Sequence, residues 1–316
     1  MIMSKSRDGL EKIIVAKPRG FCAGVERAVR TVDLLIEKYG PPLYVRHHIV
    51  HNDHVVKRFE KRGVIFVEDL NLVPDGARVV FSAHGSPPSL YELARKRHLQ
   101  VIDATCPLVT KVHSEAKRFA ADGYFIFYVG HKNHPETIGV LEEVVPTQVV
   151  LLETIADVWK IQPLQQEKLV VLNQTTLSVD DTKEIIEVLK DRFPNLIMPT
   201  GRDICYATQN RQDAVKALAK VVDLVLVVGS PTSSNSNRLK EVAEKQGVKA
   251  YLVNNKREID TTWLKGVRVV GVTSGASVPD ELVTALVESF TRVGVEVEEL
   301  KLVDESRIHF MLPKEL

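Results

Sequence analysis

Apolar positions along the chain alternate between two periods, one typical of amphipathic helices and the other of short buried strands. From Val25 to Ile36 the apolar residues recur on one helical face, and Gly40 then ends the predicted helix. A short second helix is predicted at 54–61. Short apolar runs predict strands at 43–45, 64–67 and 78–82. The first third of the chain therefore alternates helices with strands.

The same order of elements occurs twice more. Helices are predicted at 109–120 and 208–220, and strands at 124–129, 149–152, 169–172, 224–228, 250–253 and 268–272. Because strands separated by helices are joined by right-handed crossovers, the sheets should be mainly parallel. The sequence therefore predicts an α/β fold of three pseudo-repeated domains, 13–107, 108–201 and 202–290, with a C-terminal tail, 291–316, that returns onto the body.

Nine polar positions recur in register within these repeats. Each repeat has a cysteine at the start of its first helix, a second polar residue 28 or 29 positions later, and a third 62 to 72 positions after the cysteine. In chain order the sets are Cys22, His51 and His84; Cys106, His134 and Thr176; and Cys205, Ser233 and Ser277. Since ligands of parallel sheets gather at the carboxyl ends of strands, this register predicts one shared site.

Length and composition limit the classes of function. The chain has 316 residues, of which 44% are hydrophobic and 26% charged, as in ordinary globular domains. A formal net charge of +1 argues against a broad nucleic-acid-binding surface and favours a small ligand held by local geometry. No apolar run approaches the roughly 20 residues that span a bilayer, so we expect a cytoplasmic protein without a membrane segment.

The three cysteines are compatible with two kinds of metal site. A single cytosolic cysteine is usually a small buried hydrophobe, but equivalent positions in three repeats around a pseudo-threefold axis would bring the thiols together. Three thiolates without a fourth cysteine suit an iron–sulfur cluster that keeps one iron open. A zinc site of three cysteines and a histidine is the alternative. It is less favoured because structural zinc ligands usually occur in close pairs, and the chain has no C-x-x-C motif.

Acid–base chemistry is predicted in the segment from His131 to Glu136, which lies between a strand and a helix. Glu136 in a first helical turn could serve only to complement the helix dipole. Because two histidines precede it and the segment has the same phase as the other site loops, we favour a role in proton transfer. A histidine at a strand end, such as His51 or His84, is usually structural, and here the repetition favours ligand binding.

Two loops of the third repeat are rich in hydroxyl groups. The segment 229–237 connects a strand to a helix predicted to begin near Arg238, and the segment 273–277 follows the last strand. Such loops offer hydroxyls and backbone N–H groups to phosphate, so together they predict a diphosphate cradle. Thr175 and Thr176, which follow a strand of the second repeat, also remain available to a ligand.

The same segments carry a family resemblance that spans nearly the whole chain. They are PRGFCAGV (18–25), VHN (50–52), SAHG (82–85), DATCPLV (103–109), GHKNHPE (130–136), QTTLS (174–178), DICYAT (203–208) and SSNSN (233–237). With these motifs the sequence closely resembles the 4-hydroxy-3-methylbut-2-enyl diphosphate reductase family, which catalyses the last step of the methylerythritol phosphate route to isoprenoids. The resemblance implies two-electron reductive dehydroxylation of that allylic diphosphate to isopentenyl and dimethylallyl diphosphate. It also implies a trefoil of three α/β domains around a central cluster.

By this resemblance each candidate residue has an expected role. A 4Fe-4S cluster, whose open iron takes the substrate hydroxyl, would be held by Cys22, Cys106 and Cys205. The diphosphate would be bound by His51, His84, His134, Ser233, Ser234, Asn235 and Ser277. Glu136 would be the general acid, with Thr176 as a relay, and protonation of an allyl anion at either of two carbons would give the two products.

The source of electrons follows from motifs that the chain lacks. No G-x-G-x-x-G segment follows a strand and there is no P-loop, so nicotinamide and flavin binding are not expected. A ferredoxin- or flavodoxin-type carrier should supply the electrons instead. The alternative class of function is non-catalytic: a cluster-bearing sensor of oxygen or iron could use the same thiols. Such a sensor would need neither a diphosphate cradle nor Glu136.

Overall fold

The computed structural model describes residues 9–163, 167–201 and 203–316. The strands are β1 (Lys12–Lys17), β2 (Leu43–Arg46), β3 (Val64–Val67), β4 (Arg78–Phe81), β5 (Gln100–Asp103), β6 (Phe125–Val129), β7 (Val149–Leu152), β8 (Leu169–Asn173), β9 (Leu196–Ile197), β10 (Leu224–Val228), β11 (Lys249–Val253), β12 (Val269–Ser274) and β13 (Glu296–Lys301). The α-helices are α1 (Ala23–Tyr39), α2 (Asp53–Glu60), α3 (Pro88–Lys96), α4 (Pro107–Ala121), α5 (Pro135–Leu141), α6 (Ile155–Lys160), α7 (Val179–Arg192), α8 (Tyr206–Leu218), α9 (Ser234–Lys245) and α10 (Asp280–Thr291). Within the described ranges, no helix has the length and apolar character needed to cross a membrane.

The strands form three parallel sheets. Their strand orders are β3-β2-β4-β5, β7-β6-β8-β9 and β11-β10-β12-β1-β13, and the described pairings are all parallel. The predicted α/β fold with three mainly parallel sheets is therefore confirmed. The chain divides into two compact units: unit I comprises residues up to 25, 51–55 and 206–309, and unit II comprises 26–50, 56–205 and 310–316.

The core of unit I lies on both faces of the five-stranded sheet. Every residue of the interior strand β10 is buried, as expected for a parallel sheet covered by helices on both sides. Leu224, Leu226 and Val228 face a core that includes apolar residues of α10, and Val225 and Val227 face a second core formed with α8 and α9. This double coverage fixes the strand ends from which the loops of unit I start.

Unit II contains the two four-stranded sheets. All five residues of β6 are buried, and they alternate between two cores. Phe125 and Phe127 pack with residues of α7, whereas Ile126 and Tyr128 pack against α4. A further core lies between the β2–β5 sheet and α3. These layers support the loops that follow β4, β6 and β8.

The position of β1 differs from the expected domain organisation. Residues 13–107 were predicted to form the first repeat, but β1 lies in the sheet of the third repeat, where Ile13 is paired with Val270 of β12 and Val297 of β13. No strand is predicted at 12–17 from the sequence, and hydrophobic periodicity does not reveal pairing partners more than 250 residues distant. The end of the chain belongs to unit II, because Arg27 Nε donates to Met311 O at 2.7 Å.

Candidate active site

Three polar loops of unit II follow the carboxyl ends of buried strands. Residues 82–85 follow β4, residues 130–134 follow β6, and residues 174–176 follow β8. Two of these loops hold the backbone of a candidate cysteine: Cys106 N donates to Ala83 O at 3.0 Å, and Cys205 N donates to Thr175 O at 3.1 Å. The cysteine backbones are thus tied to the loops that carry the other predicted site residues of this unit.

His84 and His134 lie side by side in unit II. Their ring centroids are 6.1 Å apart, edge to face, and the centroid of His47 is 5.8 Å from that of His84. His134 Nδ1 accepts a hydrogen bond from Glu136 N at 3.2 Å and so caps the start of α5. Because Nδ1 accepts, the neutral His134 ring carries its proton on Nε2, which is therefore the donor of this ring. The pair can offer imidazole N–H groups to an anion.

Glu136 is a buried carboxyl group in the first turn of α5, with 1% of its surface exposed. Thr175 N donates to its Oε1 at 2.7 Å, and Thr175 Oγ1 donates to its Oε2 at 2.9 Å. Burial raises the pKa of Glu136 to about 7; the hydrogen bonds from Thr175 oppose this rise and the negative charge of Asp203 adds to it. A carboxyl group with such a pKa is about half protonated at neutral pH, which suits a general acid.

Thr175 is the functional residue that the sequence analysis left without a role. The relay was assigned to Thr176, whose Oγ1 accepts from Gln174 Nε2 at 2.8 Å. Gln174 is fully buried, and its Oε1 accepts from His131 N at 2.9 Å. The side chain of Gln174 therefore ties Thr176 to the loop that precedes α5, while both the backbone and the hydroxyl of Thr175 bind Glu136.

A buried ion pair adjoins these loops and was also missed by the sequence analysis. Asp203 Oδ1 accepts from Lys111 Nζ at 2.9 Å, and its Oδ2 accepts from Asn173 N at 3.0 Å. Burial raises the pKa of Asp203 to about 6, although the hydrogen bond and charge of Lys111 oppose the rise. The pair connects α4, which begins after Cys106, to the end of β8 and to the segment that leads to Cys205. Asp203 and Lys111 lie next to cysteine motifs in the sequence, which is the signal that could have found them.

In unit I the loop after β10 is shorter than predicted, because the next helix starts earlier. Helix α9 begins at Ser234, and Ser233 is its N-cap, whose side chain accepts from Ser236 N at 3.3 Å. The prediction of a helix start near Arg238 is therefore wrong, since 234–237 form the first turn of α9. The start of this twelve-residue helix carries the positive end of the helix dipole, which favours an anion.

The other predicted residues of unit I are held together by short hydrogen bonds. Asn235 Oδ1 accepts from Ala276 N at 3.1 Å, and Ser277 Oγ donates to His51 O at 3.1 Å. Cys22 N donates to Ala276 O at 3.0 Å. These hydrogen bonds connect His51, Ser277 and Cys22 to the start of α9 within this unit.

The three cysteines share one local setting. All three thiols are half-buried, and none is in a disulfide. Cys22 and Cys205 directly precede α1 and α8, and Cys106 is the N-cap residue of α4. Each cysteine therefore lies at the N-terminal end of a helix, where the helix dipole favours a negatively charged group such as an anionic metal cluster.

Comparison with known proteins gives a family match over most of the chain. A family model described as LytB protein matches residues 13–291. A 4-hydroxy-3-methylbut-2-enyl diphosphate reductase from Acidothermus cellulolyticus is 54% identical over 307 residues, which is 96% of this chain and 90% of the relative. The reductase of the same name from Streptomyces coelicolor is 54% identical over 306 residues, with the same shares of the two chains.

A solved structure is similar over nearly the same extent. The E-1-hydroxy-2-methyl-but-2-enyl-4-diphosphate reductase from Plasmodium falciparum has a TM-score of 0.93 and 40% sequence identity, and the alignment covers 96% of each chain.

Proposed function

This chain belongs to the LytB protein family of 4-hydroxy-3-methylbut-2-enyl diphosphate reductases, and we propose that Glu136 and the loops around it perform the acid–base part of that reaction. The reaction is a two-electron reductive dehydroxylation of (E)-4-hydroxy-3-methylbut-2-enyl diphosphate that gives isopentenyl and dimethylallyl diphosphate. It ends the non-mevalonate route to isoprenoids. The observation that carries the proposal is the buried Glu136, held by two hydrogen bonds from Thr175 beside paired histidines.

The family consists of iron–sulfur enzymes, and the donor set of this chain fits such a group. We assign a 4Fe-4S cluster with one open iron to Cys22, Cys106 and Cys205. Half-buried cysteines at helix starts are suitable cluster ligands, and three of them leave one iron of a cubane cluster without a protein ligand. When bound, the cluster supplies electrons and a Lewis acid to the departing hydroxyl oxygen. The zinc alternative requires a nearby histidine as fourth ligand and offers no redox chemistry.

Glu136 delivers the proton in this proposal. Cleavage of the allylic C–O bond needs a proton on the leaving oxygen, and a carboxyl group with a pKa of about 7 holds one at neutral pH. Thr175 fixes the orientation of the carboxyl group and can pass the proton through its hydroxyl. The role predicted for Thr176 stays a prediction, and its link to Gln174 supports a role in shaping the same loop.

The diphosphate is bound by imidazole, hydroxyl and amide groups. In unit II these belong to His84 and His134, whose rings lie together. In unit I they belong to His51, Ser233, Ser234, Asn235 and Ser277, which adjoin the start of α9. The anion then meets donors from strand-end loops and a helix N-terminus, the arrangement that suits phosphate without a strongly basic surface.

A separate carrier protein of the ferredoxin or flavodoxin type delivers the electrons, since the chain lacks a nicotinamide or flavin fingerprint. We place the enzyme in the cytoplasm, where its thiols remain reduced. A non-catalytic cluster sensor remains the second candidate because the same cysteines would serve it. A buried carboxyl group with a raised pKa and a set of diphosphate donors have no use in such a sensor.

Anaerobic purification followed by a turnover assay tests the proposal. The protein should be brown, and with a reduced dye as electron donor it should convert the allylic alcohol diphosphate to the two isoprenoid diphosphates. Addition of substrate should also change the visible spectrum. A cluster-loaded protein whose spectrum ignores the substrate and that forms no product would favour the sensor.

A further inference from the structure

His113 lies in unit II outside the set of residues assigned above. It belongs to α4 and has 8% of its surface exposed. Its Nδ1 is 2.7 Å from Glu143 Oε1, and Lys117 Nζ is 2.9 Å from Glu143 Oε2. Burial raises the pKa of Glu143, but the hydrogen bonds from His113 and Lys117 outweigh it and hold the pKa below its usual value. Glu143 is therefore an anion that can only accept, so His113 Nδ1 donates and the ring orientation is fixed.

The opposite edge of the His113 ring packs against two glycines. A Cβ atom on Gly85 would lie 2.8 Å from His113 Nε2, and a Cβ atom on Gly139 would lie 2.9 Å from His113 Cε1. Gly85 has a φ of 84°, which by itself favours glycine. The backbone conformation of Gly139 does not require glycine, because this residue lies inside α5, where alanine is the better helix former. The close approach of His113 accounts for the glycine at 139.

Both glycines belong to segments that carry candidate diphosphate ligands. Gly85 directly follows His84, and Gly139 lies in the seven-residue helix that His134 caps. We propose that His113 is a positioning residue whose ring, anchored by Glu143, sets the spacing between His84 and His134. This inference rests on the proposed function, in which these two histidines bind the diphosphate.

The surroundings of the ring support this role. A cleft of about 380 Å³ in unit II is lined by Gly85, Ser86, His113 and Glu143, among others. The turn at Gly85 thus borders open space, and the ring edge of His113 is a firm contact that limits its position. His113 Nε2 is buried and has no hydrogen-bond partner among the described residues. An imidazole at this position is therefore explained by the anchoring of its other edge to Glu143 and not by a polar contact at the glycines.

His113→Asn and Gly139→Ala test the spacing role in the cluster-loaded protein under anaerobic conditions. Asparagine keeps an N–H group close to the position of Nδ1 but lacks the atoms that meet the glycines. Calorimetric titration with inorganic diphosphate should show about 10-fold weaker binding in each variant, because small displacements of binding groups are costly. His98→Asn is the matched control: His98 is exposed and has a φ of 55°, a conformation that asparagine tolerates, so binding should equal that of the wild type.

The two substitutions should not be additive. A Cβ atom at position 139 meets ring atoms that asparagine lacks, so Gly139→Ala should cause little further loss in the His113→Asn background. Wild-type diphosphate binding in both single variants, or full additivity in the double variant, would overturn the spacing role. If His113→Asn does not fold, wild-type binding by Gly139→Ala alone overturns it.

His84→Ala, measured in the same titration, separates this inference from the proposed function. Weaker binding by His84→Ala together with wild-type binding by His113→Asn overturns only the role of His113. Wild-type binding by His84→Ala overturns the proposed role of that histidine and the inference with it.

Discussion

Glu136→Gln is the substitution that tests the proposed reaction most directly. Glutamine keeps the shape of the side chain and an oxygen that can accept from Thr175 N, which binds Glu136 Oε1 at 2.7 Å. It carries no transferable proton. Since general acids typically contribute 10²- to 10⁴-fold, we expect turnover to fall by at least about 100-fold while inorganic diphosphate still binds.

The raised pKa of Glu136 also predicts how the free energy of unfolding depends on pH. The pKa of Glu136 is about 7 in the folded protein and 4.5 as its ordinary value, so the native state binds a proton that the unfolded state has released between these pH values. The contribution of Glu136 to the free energy of unfolding is fully present below pH 4.5 and is lost as the pH rises through about 7. The difference corresponds to about 3 kcal/mol of unfolding free energy. Glutamine mimics the protonated form, so this loss should be absent in the variant.

The assay is steady-state turnover with a dye donor from pH 6 to 9, together with denaturant unfolding from pH 4 to 9, a range that includes both pKa values of Glu136. Wild-type turnover should decline above about pH 7 as Glu136 loses its proton, and the residual rate of Glu136→Gln should not show this decline. Glu142→Gln is the control, because Glu142 is an exposed carboxylate at the C-terminal end of the same helix. Wild-type turnover by a cluster-loaded Glu136→Gln variant would refute the acid role and leave Glu136 as a partner of the helix dipole.

Further substitutions test the remaining assignments. Serine in place of any one of Cys22, Cys106 and Cys205 should abolish cluster retention, measured as iron and sulfide per chain after anaerobic reconstitution. A variant with normal iron and sulfide contents would contradict a shared cluster. His51→Ala or His84→Ala should weaken inhibition by inorganic diphosphate by roughly 10- to 150-fold with an unchanged cluster spectrum, and Ser233→Ala should weaken it less, because neutral donors form weaker hydrogen bonds. Equal inhibition in the wild type and both histidine variants would mean that the anion binds elsewhere. Thr175→Val should lower turnover by about 10-fold, since it removes the hydroxyl that binds Glu136, and a larger effect of Thr176→Val would return the relay to that residue.

The sequence predicts the nine strands that form clear apolar runs, but it misses the strands β1, β5, β9 and β13. It could not place β1, since the pairing of Ile13 with Val270 joins residues from opposite ends of the chain. It also could not locate the start of α9. Ser234, Asn235 and Ser236 have a composition typical of loops, and only the hydrogen bond from Ser236 N to the Ser233 hydroxyl shows that the first helical turn begins there.

The register of the repeats likewise could not distinguish the role of Thr175 from that of Thr176. The register of the repeats makes Thr176 equivalent to His84 and Ser277, and hydrogen bonding supports that equivalence. Each cysteine N–H donates to the carbonyl of the residue that precedes one of these positions in another repeat: Cys106 to Ala83, Cys205 to Thr175 and Cys22 to Ala276.

Thr175 therefore occupies a position where the other two repeats have alanine. The main-chain carbonyl at this position accepts from a cysteine N–H, and that contact needs no side-chain hydroxyl. The threonine is explained instead by Glu136, since Thr175 Oγ1 donates to Glu136 Oε2 at 2.9 Å. Periodicity identifies positions with shared geometry, whereas the chemistry specific to one repeat appears where its residue type departs from the other two. On this argument Thr175→Ala should leave the backbone support of Cys205 intact while it lowers turnover, because alanine already serves that support at Ala83 and Ala276.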